Sequence, residues 1–123
     1  MTDLIVPPHH VIEDAVTRAL REDLGLAGDI TSAATIPADQ ASEARLVARE
    51  AGVIAGLPVA RAAFHAMDAQ TAFAANIVDG ARVEAGAELA QIAGKTRALL
   101  TAERVALNFL GRMSGIATLT AQY

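Results

Sequence analysis

Apolar residues recur at helical spacing from residue 9 to residue 24, and charged residues fall between them. This pattern predicts an amphipathic first helix with one face in a core. Pro7 and Pro8 come directly before it, and proline blocks an earlier start of the helix. A second helix is predicted over residues 58–67. Its Pro58 suits the first helical turn, and its small apolar residues allow the helix to lie close to a sheet.

Short or alternating apolar runs between and after these helices predict β-strands. The first three cover residues 42–50, 53–55 and 71–78. The next segment, DGARVEAGAELAQIAG at residues 79–94, combines a turn signal with two short apolar runs and predicts a hairpin. Helices and strands thus occur in short groups, without the regular strand-helix alternation of a parallel doubly wound sheet. This order predicts the α+β class.

Residues 101–123, TAERVALNFLGRMSGIATLTAQY, are predicted to form one long helix with Thr101 as its N-cap. One broad arc of this helix is apolar and holds Val105, Ala106, Phe109, Leu110, Met113, Ile116 and Ala117. A second arc holds Arg104, Asn108, Gly111, Gly115 and Thr118. Glycine inside a helix costs about 1 kcal/mol relative to alanine, so bare backbone here predicts the close approach of another helix or a ligand. A small-residue packing seam that ends in a solvated arginine is the alternative.

The composition narrows the class of protein. The chain has 123 residues, 53% of them hydrophobic and 20% charged, which suits one domain with a core. A net charge of −4 without a lysine and arginine block argues against nucleic acid as a partner. No cysteine is present, which fits a reducing compartment. The residues MTDLIVPPHH lack the basic start of a secretory signal, and no apolar run is long enough to span a membrane. We therefore expect a cytoplasmic protein without a membrane partner.

The histidines do not predict a metal site. His9 and His10 are adjacent on the first predicted helix, so their side chains point about 100° apart. His65 belongs to a different element. Such an arrangement does not bring ligands to one ion.

A group of acidic residues lies at the end of the first helix and just after it, but its spacing fits no calcium loop. The group comprises Glu22, Asp23 and Asp29. The simpler interpretation is a capped turn, in which Asp29 and Thr31 bond to nearby backbone groups. The sequence assigns no catalytic role to these four residues.

The hairpin at residues 79–94 also resembles those of lipoyl and biotinyl carrier domains, which gives a rival interpretation. Such a carrier presents a lysine for acylation at an exposed hairpin tip. The single lysine, Lys95, lies after the predicted hairpin and directly before the last helix. The similarity therefore extends to geometry and not to carrier function. Gly94-Lys95-Thr96 also resembles the end of a P-loop, but Leu89 stands where that motif has its first glycine.

Three runs in the last helix, ER at 103–104, ALN at 106–108 and RMSGIAT at 112–118, are together long and specific. They resemble the quinolinate phosphoribosyltransferase family, also called nicotinate-nucleotide pyrophosphorylase (carboxylating). Earlier steps of the chain agree with this resemblance: Glu22-Asp23, Gly28-Asp29-Ile30-Thr31 and Gly52-Val53-Ile54-Ala55-Gly56.

The resemblance implies the α/β-hammerhead N-terminal domain of that family over residues 1–100. Residues 101–123 would form the helix that leads into an α/β barrel, which this chain does not contain. The helical pattern reaches Tyr123 without a glycine cap, a proline or a basic last turn. We therefore expect the sequence to be a piece of a longer protein.

The same resemblance implies a pentosyltransferase that makes nicotinate mononucleotide, pyrophosphate and carbon dioxide from quinolinate and phosphoribosyl pyrophosphate. Arg104 would bind a quinolinate carboxylate in the partner subunit's site, within a homodimer or a higher homo-oligomer. The catalytic groups and the ligands for Mg²⁺ would lie outside this chain, which alone would be inactive. Related alternatives are a molybdenum-transport homologue and nicotinate phosphoribosyltransferase.

Overall fold

Helices and two antiparallel sheets make up the part of the chain that the computed structural model describes, residues 8–27, 35–116 and 118–123. The elements in chain order are α1 His9–Ala27, β1 Ala41–Ala48, β2 Gly52–Val53, α2 Leu57–Met67, β3 Ala72–Ala75, β4 Arg82–Val83, β5 Glu88–Lys95, α3 Thr96–Ser114 and β6 Leu119–Gln122. The predicted order of elements is confirmed up to α3, and so is the α+β class.

The main sheet has four strands in the order β3-β5-β1-β6, and each neighbouring pair is antiparallel. Strand β1 is central because it pairs with β5 on one side and with β6 on the other. Its pairing with β5 runs from Ala41 opposite Lys95 to Val47 opposite Glu88, with one irregularity after Leu46. A second sheet contains only β2 and β4.

The core lies between one face of the main sheet and the three helices. Leu46 and Leu89 from the sheet and Phe64 from α2 are almost completely buried there. Fully buried alanines on α2 and α3, including Ala60 and Ala106, let these two helices pack against each other. The high alanine content therefore gives close helix packing, which compensates for the low content of aromatic residues.

The prediction of one helix over residues 101–123 is wrong at both ends. Helix α3 begins at Thr96 after Lys95, and Thr101 lies inside it with its hydroxyl bonded to the Arg97 carbonyl at 2.9 Å. The helix ends at Ser114, because Gly115 adopts a left-handed φ of 72° and donates its N–H to the Gly111 carbonyl. The chain then forms β6. The division of the chain into domains at residue 100 stays a prediction, although α3 runs across that point.

The absence of a side chain at Gly111 leaves room for the segment that connects α3 to β6. A Cβ on Gly111 would lie 3.2 Å from the carbonyl oxygen of Ile116. The sequence predicts the close approach of another helix or a ligand at Gly111 and Gly115; among the described residues, the approach at Gly111 comes from the chain's own Ile116. At Gly115 a side chain would not be crowded, because nothing lies within 4 Å of a Cβ placed there. Glycine is favoured at this position by its left-handed backbone. The predicted row of five residues on one helix is therefore reduced to Arg104, Asn108 and Gly111.

The predicted hairpin over residues 79–94 is also wrong in its pairing. The turn at Asp79-Gly80 forms, with Gly80 at a φ of 94°. Strand β4 pairs with β2, however, whereas β5 pairs with β1 and β3. The two runs that resemble a carrier hairpin thus belong to different sheets.

Residues 54–57 form a junction between the turn at residue 79, the start of α2 and the end of α3. The Ser114 hydroxyl accepts a hydrogen bond from the Ala55 N–H at 2.9 Å and donates one to the Ala55 carbonyl at 2.8 Å. The Asp79 carboxylate accepts the N–H groups of Gly56 and Leu57, each at 3.0 Å, and so caps α2. We call residues 54–57 the Ala55 junction. It fixes the C-terminal end of α3 relative to α2.

The substitution Ser114→Ala tests the Ala55 junction. It removes one hydroxyl and leaves both backbone groups of a partly buried residue without this partner. We expect the free energy of unfolding to fall by roughly 1–3 kcal/mol, because unpaired buried polar groups are costly. Urea denaturation measures this change. Thr17→Ala, at an exposed position of α1, is the control and should change stability by less than about 0.5 kcal/mol. Equal effects of both substitutions would contradict the importance of the junction.

Candidate functional site

Arg104 lies on the outward face of α3. Its side chain is exposed, whereas the next two residues, Val105 and Ala106, are buried. Asn108, one turn later, is exposed on the same face. The core therefore holds the helix on one side and presents Arg104 and Asn108 on the other. A guanidinium on such a fixed support suits the binding of a carboxylate or a phosphate.

Arg112 continues this exposed face for another turn, and the sequence reasoning missed it. The residue is exposed and lies at the eighth position after Arg104. Its place in an i, i+4, i+8 row with Arg104 and Asn108 was the signal that could have found it. The outward face of α3 thus carries two arginines and an asparagine.

Glu103, the one acidic residue of α3, is directed to another part of the molecule. The Tyr123 hydroxyl donates a hydrogen bond to the Glu103 carboxylate. Partial burial of the tyrosine, this hydrogen bond and the negative charge of Glu103 raise the pKa of Tyr123 above its ordinary value of 10.0. Glu103 therefore connects the residue after β6 to α3.

Lys95 does not have the position that a carrier lysine requires. It is the last residue of β5 and stands directly before α3, rather than at a hairpin tip. Thr96 is buried, and its hydroxyl forms a 2.5 Å hydrogen bond with that of Ser42. Gly94 is in close contact with Thr71, since a Cβ there would lie 3.2 Å from the Thr71 hydroxyl. The segment resembling a P-loop end is thus a packed strand-to-helix connection.

Two of the three histidines have separate partners. His9 pairs with Glu13 at 2.7 Å on the exposed side of α1, and His65 forms a 2.9 Å hydrogen bond with the Thr71 carbonyl. Within residues 8–27, 35–116 and 118–123, no three histidine, aspartate or glutamate side chains form a group that could hold a metal ion.

The acidic residues at the end of α1 and after it are only partly described. Glu22 is exposed on α1. Asp29 and Thr31 lie outside the described residues, as does the side chain of Asp23. The interpretation of this segment as a capped turn stays a prediction.

A groove of about 1320 Å³ lies away from Arg104, between α1, α2 and the segment that includes β3. Ile12, Val16 and Phe73 contribute apolar lining, and Arg61 and His65 contribute polar lining. Its lining includes none of the exposed residues Arg104, Asn108 and Arg112 of α3. None of the helices in the described part is long and apolar enough to cross a membrane.

Comparison with known protein families identifies the fold. Residues 29–114 match the family model described as "Quinolinate phosphoribosyl transferase, N-terminal domain". The chain belongs to this family. The resemblance in the runs around Arg104 is thereby confirmed at the level of the whole domain.

Curated relatives in the quinolinate phosphoribosyltransferase family are similar in sequence to most of this chain. Quinolinate phosphoribosyltransferase [decarboxylating] 1b from Nicotiana tabacum is 42% identical over 120 residues, which are 95% of this chain and 34% of that protein. Nicotinate-nucleotide pyrophosphorylase [carboxylating] from Mycobacterium leprae is 41% identical over 112 residues, 89% of this chain and 39% of that protein. Other relatives carry the words mitochondrial or chloroplastic in their names. The chain spans about a third of the length of these relatives.

Solved structures of the family share the fold. A crystal structure of NadC from Streptococcus pyogenes has a TM-score of 0.79 and 39% identity, and the match covers 89% of this chain and 38% of that chain. A nicotinate-nucleotide pyrophosphorylase from Francisella tularensis has a TM-score of 0.78 and 30% identity over 89% of this chain and 39% of that one. The α+β fold is therefore that of the N-terminal domain of this family.

Several residues that carry the family resemblance have structural roles. Met113 and Ser114 contact the Ala55 junction, and Ile116 packs against Gly52, where a Cβ would lie 2.5 Å from the Ile116 side chain. Arg104 and Asn108, in contrast, face outward and make up the part of the resemblance that is suited to binding.

The raised pKa of Tyr123 gives a prediction that absorbance spectroscopy can test. Tyr123 is the single tyrosine in a chain without tryptophan, so its phenolate signal is free of overlap. We expect its ionisation midpoint to lie above pH 10. Glu103→Gln should lower the midpoint toward 10 without reaching it, because burial is the first cause of the shift. An unfolded chain loses this proton near pH 10, so stability should fall as the pH rises above 10. A midpoint at 10 in the folded protein would contradict the Glu103 contact.

Proposed function

We propose that this chain is the N-terminal part of a quinolinate phosphoribosyltransferase. The observation that carries the proposal is the family match over residues 29–114, combined with an exposed arginine at position 104 of the family-like run. The enzyme would convert quinolinate and phosphoribosyl pyrophosphate into nicotinate mononucleotide, pyrophosphate and carbon dioxide, in the synthesis of NAD.

The reaction defines what the protein has to hold. The ring nitrogen of quinolinate attacks the anomeric carbon of the sugar, and the bond from that carbon to the pyrophosphate oxygen breaks. The ring carboxylate next to the nitrogen then leaves as carbon dioxide, and a proton takes its place on the ring. A dianionic ring must therefore lie beside a polyanionic sugar, which requires fixed cationic groups. Arginine suits this task because its planar fork binds a carboxylate through two parallel hydrogen bonds.

Arg104 is proposed to bind a quinolinate carboxylate. Its exposed side chain stands on a helix whose opposite side is buried against the core, so the helix itself does not have to move on binding. Asn108, on the same face, adds a neutral donor and acceptor. The site would be completed by a partner subunit in a homodimer or a higher homo-oligomer, because an outward arginine on one domain cannot surround a ligand alone.

Magnesium is proposed to bind outside this chain. It would neutralise charge on phosphoribosyl pyrophosphate, as metal ions do in phosphoryl and pyrophosphoryl chemistry. The described residues do not fit such a site, since no group of three acidic or histidine side chains converges among them. The catalytic groups are likewise proposed to lie in the part of the enzyme beyond the third that this chain spans. A cytoplasmic location fits the absence of cysteine.

Activity of the complete gene product tests the proposed function. We expect the full-length protein to release pyrophosphate and carbon dioxide from quinolinate, phosphoribosyl pyrophosphate and Mg²⁺. The 123-residue chain alone should give only background, because it lacks a catalytic group or a metal site among its described residues. Nicotinate in place of quinolinate is the control. Turnover of nicotinate without carbon dioxide would favour nicotinate phosphoribosyltransferase, and turnover by the isolated chain would show that the active site is misplaced.

Arg104→Ala in the full-length protein tests the binding role. We expect the loss of roughly 2–4 kcal/mol of transition-state binding, by analogy with the removal of one charged contact. This corresponds to a fall of about 30- to 1000-fold in kcat/KM. Arg104→Lys should restore only part, because a point charge cannot replace the planar fork. Arg18→Ala, at an exposed position of α1, is the matched control. A normal kcat/KM for Arg104→Ala would contradict the role.

The same variant tests whether Arg104 serves the partner's site. Arg104→Ala chains mixed with chains inactivated in the remainder of the enzyme should recover some activity, since a mixed dimer contains one intact site. Each variant alone is the control. No recovery in a dimer that has demonstrably exchanged subunits would place Arg104 in the site of its own chain.

A further inference from the structure

The outward face of α3 has a second cationic position that the proposed role of Arg104 does not use. Arg112 is exposed, and it forms no hydrogen bond or ion pair with any residue in the described part of the chain. Other charged side chains, in contrast, bond to the backbone: Asp79 caps α2, and Arg97 donates to the Ile36 carbonyl. Arg112 therefore has its full set of donors available for a ligand.

The immediate support of Arg112 is rigid. The next two residues are held by the Ala55 junction: Met113 packs against Gly56, and Ser114 bonds to both backbone groups of Ala55. Gly111, on the other side, is in close contact with the Ile116 carbonyl. The backbone on either side of the arginine is thus fixed, so that only its side chain has to be ordered when a ligand binds. A group held in this way loses less entropy when it binds a ligand.

The charge pattern of this face suits an anion. Helix α3 has one acidic residue, Glu103, and its carboxylate accepts a hydrogen bond from Tyr123. Arg104, Asn108 and Arg112 follow one another at intervals of four residues, all exposed. A chain with a net charge of −4 thus has a row of two guanidinium groups and an amide on one helix face. Such a row attracts a ligand with more than one anionic group.

The spacing of the two arginines decides which anion each can bind. Eight residues of an α-helix rise by about 12 Å. The two carboxylates of quinolinate stand on neighbouring ring atoms, so both lie near Arg104 when one of them is bound there. Phosphoribosyl pyrophosphate, in contrast, has a phosphate and a pyrophosphate on opposite sides of its sugar. An anionic group bound at Arg112, about 12 Å along the helix from Arg104, therefore belongs to the sugar substrate.

We propose that Arg112, with Asn108 beside it, binds a phosphoryl group of phosphoribosyl pyrophosphate in the same site to which Arg104 contributes. This inference rests on the proposed function. It makes α3 a support on which the two substrates are arranged in order along the helix axis, with the ring at Arg104 and a phosphoryl group at Arg112. The alternative is that Arg112 only stabilises the C-terminal end of α3 through the helix dipole.

Steady-state kinetics of Arg112→Gln in the full-length protein separates these possibilities. Glutamine retains helix propensity and removes the charge. We expect the KM for phosphoribosyl pyrophosphate to rise roughly 10- to 100-fold, the size expected for one charged hydrogen-bonding contact. The KM for quinolinate should stay within about 2-fold. Arg112→Lys should restore part of the affinity for phosphoribosyl pyrophosphate.

Arg18→Gln is the matched control, since it removes the charge of an exposed arginine from another helix. It should leave both KM values unchanged. An unaltered KM for phosphoribosyl pyrophosphate in Arg112→Gln would overturn the inference, and so would an equal rise in both KM values accompanied by a lower melting temperature. Inactivity of the unaltered full-length protein would instead contradict the proposed function itself, so the two failures are distinguishable.

Discussion

The hydrogen bonds of the Ala55 junction are the constraint on which the arrangement of the helices depends. A loop that passes between two helices and a turn has backbone groups that must find partners when water is excluded. At residues 54–57 these partners come from distant parts of the chain: Ala81 and Gly80 bond to Ile54, the Ser114 hydroxyl bonds to Ala55, and the Asp79 carboxylate bonds to the next two N–H groups. Each partner fixes one element, so the junction aligns the start of α2, the β-turn and the end of α3 together.

The orientation of α3 follows from this constraint. Its buried side packs against the sheet and α2, and its last turn is held by Ser114. The helix can then neither rotate nor slide without unpairing the backbone of Ala55. The Ala55 junction and the buried side of α3 therefore fix the helix from which the exposed side chains of Arg104, Asn108 and Arg112 project. A helix with one buried side and one exposed charged side suits a domain that presents charged groups to a ligand held largely by other parts of a protein.

The sequence predicts the elements whose pattern is local. The period of α1 and the proline at the start of α2 predict both helices to within a few residues. The end of α3 was missed because Gly111 and Gly115 are equivalent in a helical pattern. They differ only through tertiary contacts: the Ile116 carbonyl approaches Gly111, and Ile116 packs on Gly52. The pairing of β4 with β2 was missed for the same reason, since adjacent runs suggest a hairpin unless a third strand competes. Arg104 was found through resemblance, whereas the contact of Ser114 spans 59 positions and has no local signal.

Some residues that carry the family resemblance hold the fold together, whereas Arg104, which belongs to the same resemblance, carries the proposed activity. The runs at 52–56 and 113–116 contact each other, and the glycines there are required because a Cβ on Gly52 or Gly56 would meet Ile116 or Met113. Their presence argues for the fold, since any chain with this junction needs them whatever it binds. Arg104 makes no such contribution to the core, as its side chain is exposed. An exposed guanidinium within the family-like run is therefore the stronger argument for binding an anion. A chain with the junction but without this arginine would share the fold and lack the reason to expect the reaction.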